Sequence, residues 1–164
     1  MINLSAIDEQ RFVVRTARAT LSPVDLRASN TFCQEKQVQF LIARCSTTHL
    51  SLAQDMEEQG FQLMDTLFYY KYNFVKKSLP DYSFEVAIRP ARPEDSEAVR
   101  HIAAESFKGY YGHYHADDRL PRAACDAAYV DWAVRSVESR EVADEVFVAE
   151  VDHTVAAFAT MRQN

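Results

Sequence analysis

The sequence predicts an α/β protein built in two halves. Three observations carry this reading. Apolar runs of period two alternate with runs of helical period, a polar stretch containing Pro80 interrupts that alternation midway, and Gly60 and Pro93 stand where helices should stop and start. With 164 residues, 48% of them hydrophobic, the chain is long enough to bury a real core as one domain or two small ones.

Residues 11–21 (RFVVRTARATL) are rich in β-branched side chains with partial alternation and read as a strand. Ser22 as N-cap, Pro23 at the first helical position and Asp25 in the first turn open a helix to about Glu35. Residues 38–45 (VQFLIARC) suit a short buried strand, and a helix from about 48 to 59 follows, closed by Gly60. Residues 61–74 (FQLMDTLFYYKYNF) are a long, aromatic strand candidate, which completes a βαβαβ unit over residues 1–75. Residues 76–83 read as a linker. In residues 84–164, Phe84, Val86 and Ile88 alternate with polar or small neighbours as a half-buried strand. Pro93 with Glu94 and Asp95 opens a helix whose buried stripe is Val99, Ile102, Ala103 and Phe107. A second helix covers 121–137, and 145–151 with 155–161 form a hairpin around Asp152 and His153.

Composition excludes several function classes. A net charge of −6 is the wrong sign for a non-specific nucleic-acid binder, so no nucleic-acid partner is expected. The first thirty residues carry no apolar core of a signal peptide and the apolar runs are too short to span a bilayer, so a cytoplasmic protein with no membrane partner is expected. Cys33, Cys45 and Cys125 form no CxxC pair and are expected as reduced, largely packed thiols. Only three glycines, at 60, 109 and 112, are present, too few and too scattered for a glycine-rich phosphate loop. Ser136 has no nucleophile-elbow GxSxG around it, which argues against hydrolase chemistry.

Residues 86–107, VAIRPARPEDSEAVRHIAAESF, resemble the opening strand and first helix of the GNAT N-acetyltransferase superfamily, with an I-R-x-A strand end and a P-x-D turn. Residues 145–161 are similar to that family's next two strands in spacing and alternation, and residues 11–74 resemble the N-terminal extension of its sugar-nucleotide members, the dTDP-fucosamine acetyltransferase type. The resemblance implies a GNAT-like mixed sheet. It further implies transfer of acetyl from acetyl-CoA, the co-substrate of the intact family fold, to an amine of a small molecule, with an amino-sugar nucleotide as the nearest acceptor class. The family's Q/R-x-x-G-x-G/A element for the coenzyme A pyrophosphate finds no counterpart before Asn164, where Arg162 and Gln163 lack a following glycine. The chain is therefore expected to represent the acceptor-side half, with no identifiable cofactor-binding residues. The unpaired edge of 155–161 is expected to recruit a second copy or the missing C-terminal half.

The resemblance places the segment 109–121, GYYGHYHADDRLP, over the acceptor site. Tyr110, Tyr111 and Tyr114 then supply an apolar wall, Asp117 and Asp118 accept hydrogen bonds, and His113 or His115 takes the proton of the acceptor ammonium. Three other readings stay open. The segment is a polar surface loop, or a non-catalytic interaction domain keeps a partial fold, or, in an extended conformation, His113, His115 and Asp117 hold a metal. Tyr129 and the lone Trp132 are expected in the core, Asp126 and Asp131 on a solvated face, and Arg89 and Arg92 in ion pairs with Glu94 or Asp95 or against a phosphate.

Overall fold

The computed structural model describes residues 1–78 and 86–163, so most of the expected linker and the strand start at Phe84 lie outside the described residues. The chain is mixed α/β and divides into two compact units, Met1–Asp65 with Tyr111–Ala124, and Thr66–Tyr110 with Cys125–Asn164.

The first unit runs β1 (Ile2–Leu4), α1 (Ala6–Phe12), β2 (Thr16–Leu21), α2 (Leu26–Glu35), β3 (Phe40–Cys45) and α3 (Leu50–Glu58). Its sheet has the order β1-β2-β3. The first pair is antiparallel, and β2 and β3 are parallel in register from Thr16↔Phe40 to Leu21↔Cys45. Alternation sorts the two faces. Ala19 and Leu21, with Ala43 and Cys45 opposite them and Leu41 one step along the same face, pack on Leu26 of α2 and on Leu52 and Met56 of α3. Leu52, fully buried, contributes about 2–3 kcal/mol by removal from water. Thr16 and Arg18 point the other way, where Arg18 meets Asp8 of α1.

Helix endings explain the boundaries. Helix α3 closes in a Schellman turn, with Phe61 N–H bonding Met56 O at 3.0 Å, Gly60 N–H bonding Glu57 O at 2.9 Å and Gly60 at φ +90°, the role its position predicts. Helix α2 ends the same way on Gln37 at φ 54°, and its start is set by Asp25, whose carboxylate accepts the Ser22 N–H and hydroxyl, rather than by Ser22 as N-cap. The expected strand 11–21 is corrected at its front. Arg11 and Phe12 finish α1, which Val13 terminates in the left-handed region at φ 56°, and pairing begins only at Thr16. A helix end and a strand run together there without a glycine to separate them.

The strand expected at 61–74 is also corrected: the described residues 61–73 contain no strand. Its large side chains fall on both faces of a period-two pattern. Neither sheet of the described residues takes this stretch as a strand.

The second unit contains β4 (Ala87–Pro90), a 3-10 turn at Pro93–Asp95, α4 (Ser96–Ser106), most of α5 (Arg122–Glu138), β5 (Glu145–Val151) and β6 (Thr154–Met161). Its sheet is antiparallel throughout, in the order β4-β5-β6, with β6 at an edge. The hairpin turns on Asp152 and His153 at φ 49° and 62°, the two left-handed residues that a two-residue primed turn requires. Val99, Ala103, Ala133 and Val148 form the core, flanked by Phe107, Val155 and Phe158. Trp132, expected in the core, is 43% exposed: the buried stripe of α5 runs through Cys125, Ala133 and Ser136, and Trp132 falls on its flank. Tyr129 stacks on Phe107 at 4.9 Å. Arg89 grips Asp95 with Nη1 at 2.7 Å and Nη2 at 2.9 Å, and Glu150 with Nε at 2.9 Å and Nη2 at 2.6 Å. The pairing with Arg89 holds the Asp95 carboxyl down at about 2. This arginine is thereby an ion-pair residue that ties β4 to the helix start and to β5.

Candidate functional site

The candidate site lies in the first unit, where residues 111–119 lie against α1 and β2. Gly112, in an extended conformation, leads into a 3-10 turn at His113–Ala116. The turn closes on itself: His115 N–H bonds Gly112 O at 2.9 Å, and Gly112 N–H donates to His115 Nδ1 at 3.2 Å. In a 3-10 turn residues two apart diverge, so the extended geometry needed by a His113, His115 and Asp117 metal trio is not formed. Among the described residues no group of three or more His, Cys, Asp or Glu is placed to hold a metal ion.

Tyr114 anchors the turn. Its ring lies 4.9 Å from that of Phe12, and its hydroxyl donates to Asp8 Oδ1 at 2.7 Å while accepting from Arg18. Asp8 is 1% exposed and also accepts from Ser5 Oγ, from Arg18 Nε at 2.6 Å and from Arg18 Nη2 at 3.0 Å. Burial alone would raise the Asp8 carboxyl, but the hydrogen bonds from Arg18, Ser5 and Tyr114 outweigh it and hold the group below the usual carboxylate range. The Tyr114 phenol is pushed up to about 12, first by burial and then by the bond to Asp8. Asp8 is thus fixed as an anion and Tyr114 as a neutral phenol, so neither is free to exchange protons near neutrality.

His113 differs. Its ring packs 4.2 Å from Tyr114, its Nε2 is buried with no hydrogen-bond partner among the described residues, and its pKa is lowered. Burial is the main cause. The cations Arg18 and Arg44 add to it, against the opposing pull of Asp65 and Asp8. An imidazole with a buried nitrogen that has no partner among the described residues is a hydrogen-bonding group in search of one.

The remaining predicted residues separate by role. Asp117 binds Arg119 Nε at 2.8 Å, and Arg119 reaches Gln39 O at 2.8 Å, which fastens the segment to the chain just before β3. His115 is buried in the turn, and Tyr111, exposed, lies between His115 at 5.6 Å and the Arg122 guanidinium at 5.4 Å. Asp118 pairs loosely with Arg122 at 3.8 Å. Tyr110 belongs to the second unit and packs on Phe107 and Tyr129. Asp8 and Arg18 were missed by sequence reasoning. Two signals were there: the Ser5-x-x-Asp8 spacing of a helix start, and a lone arginine inside the small, apolar strand TARATL.

The glycines are spent in backbone turns. Gly60 closes α3, Gly109 takes φ 74° after α4, and Gly112 opens the 3-10 turn. No helix among the described residues is long and apolar enough to cross a membrane. No family model, curated protein or solved structure matches the chain.

Proposed function

We propose that this chain carries the acceptor side of a GNAT-type N-acetyltransferase that acts in the cytoplasm on an amine of a small molecule, with an amino-sugar nucleotide as the acceptor class. The observation that carries the reading is the order strand, Pro-Glu-Asp turn, helix, connecting segment, helix and hairpin, on an antiparallel sheet in the order β4-β5-β6. That is the order the resemblance of residues 86–107 and 145–161 implies. In this proposal Tyr111 and Asp118, both exposed in the segment, face the acceptor, and His113 takes the proton of the acceptor ammonium when binding uncovers its buried Nε2.

Calorimetric titration of the full chain with an amino-sugar nucleotide tests the reading. Binding that weakens about tenfold in His113→Gln, with the fold retained by circular dichroism, supports it. No binding of the amine, with or without acetyl-CoA, would overturn it. The second reading is a non-catalytic interaction module with its partner docked at the edge of β6. It is favoured by one observation, the commitment of Tyr114, His115 and Asp117 to holding the segment in place.

A further inference from the structure

Residues 61–75 present a strip that a monomer does not ordinarily leave in water. Phe68 is 76% exposed, Tyr69 81%, Tyr70 93% and Phe74 69%. At the size of aromatic side chains these four rings expose roughly 600 Å². Leu63, Leu67, Tyr72 and Val75 are also exposed, which makes the strip larger than the apolar patch of an ordinary monomer. No backbone–backbone hydrogen bond involving residues 62–72 is found among the described residues, and no non-glycine residue in this stretch has positive φ. The stretch ends in a turn in which Asn73 Oδ1 accepts the Val75 and Lys76 N–H groups, at 3.0 and 3.2 Å. Composition favours a strand, and the backbone has donors and acceptors to give one.

Charge placement selects the partner. Residues 61–75 contain one acid, Asp65, and one base, Lys71, each three residues from Phe68 and both exposed. We propose that residues 63–73 are the surface by which two copies of this chain associate, the two segments pairing as antiparallel strands about a two-fold axis at Phe68. In that register Asp65 faces the partner's Lys71, and Lys71 faces the partner's Asp65. Leu67 faces the partner's Tyr69, and Phe68 meets its own copy. All pairs lie on matching faces, because antiparallel pairing preserves the period of two. A shift by one residue would move both charges opposite apolar or polar neutral side chains, so the two ion pairs set the register.

Sedimentation equilibrium of the full chain tests this. The wild type is expected to be a monomer–dimer system without larger species. Asp65→Lys and Lys71→Asp, each of which converts two attractive pairs into two like-charge pairs, are expected to weaken dimerisation about tenfold or more. The double variant is expected to return to within about threefold of wild type. Phe68→Asp, which sets two carboxylates against each other on the axis, is expected to give a monomer. Four results would overturn the proposal: a monomer at about 0.5 mM, a constant unmoved by either single swap, a double variant as weak as the singles, or a dimer abolished only by Ala157→Pro on the β6 edge.

Discussion

Two segments of this chain have nearly the same vocabulary and opposite fates. Residues 110–118 contain three tyrosines, and so do residues 66–74. In the first, Tyr114 is 7% exposed and its hydroxyl is held by a buried aspartate and an arginine; in the second, Tyr70 is 93% exposed. Ring content does not separate them. What separates them is a tertiary partner, since Asp8 and Arg18 offer the first segment a fixed anion and a donor, and the second has no such site among the described residues. Where buried charge waits, Tyr114 locks a loop; where it does not, Tyr69 and Tyr70 stay in water.

Removing the anchor is the most drastic way to erase the difference. Asp8→Ala leaves Arg18 and the Tyr114 hydroxyl without their common acceptor and is expected to destabilise the first unit by about 3 kcal/mol in urea unfolding. A loss below about 0.5 kcal/mol would mean that the network is incidental. A gentler cut makes the same substitution at two tyrosines. Tyr114→Phe is expected to cost about 1–2 kcal/mol and Tyr70→Phe nothing measurable, each read from the urea midpoint at unchanged slope. Equal costs would remove the contrast.

The third effect is one of slope. The His113 pKa in the folded chain lies below its ordinary 6.5, so the unfolded chain takes up a proton that the folded chain refuses. Its contribution to stability is therefore complete above pH 6.5, falls as pH drops from 6.5 towards the folded value, and levels off below it. In His113→Gln that fall is expected to vanish from unfolding free energies measured between pH 7.5 and the carboxylate range. A slope identical to wild type would show that His113 is not buried as neutral imidazole.

Much of the fold was legible because it rests on local signals. Gly60 closes α3, Pro93 and the acids behind it open the helix that becomes α4, and the period-two runs on either side of Asp152 and His153 become β5 and β6. The failures lie where local signals overlap or where tertiary cover decides. RFVV reads as strand, but Arg11 and Phe12 finish α1 and Val13 closes it in a backbone conformation that a β-branched residue rarely adopts. FQLMDTLFYYKYNF has strand composition, but its apolar groups on both faces find no sheet to enter. Trp132 was drawn to the core by its size, and the phase of α5 turned it outward. Of the site, the 109–121 segment stood out by residue type, which offered His113 and His115 alike and did not separate them. Asp8 and Arg18 were not, since they lie about a hundred residues from Tyr114 in the chain and only folding brings them together.

Amide hydrogen exchange of the full chain, followed by mass spectrometry at low and high protein concentration, tests the contrast between the two segments most directly. In dilute solution the amides of 112–116 are expected to be protected together with β2, while those of 62–72 exchange at unfolded-chain rates and gain protection only as concentration rises. Equal protection of both segments in dilute solution, or rapid exchange of 112–116, would contradict the account.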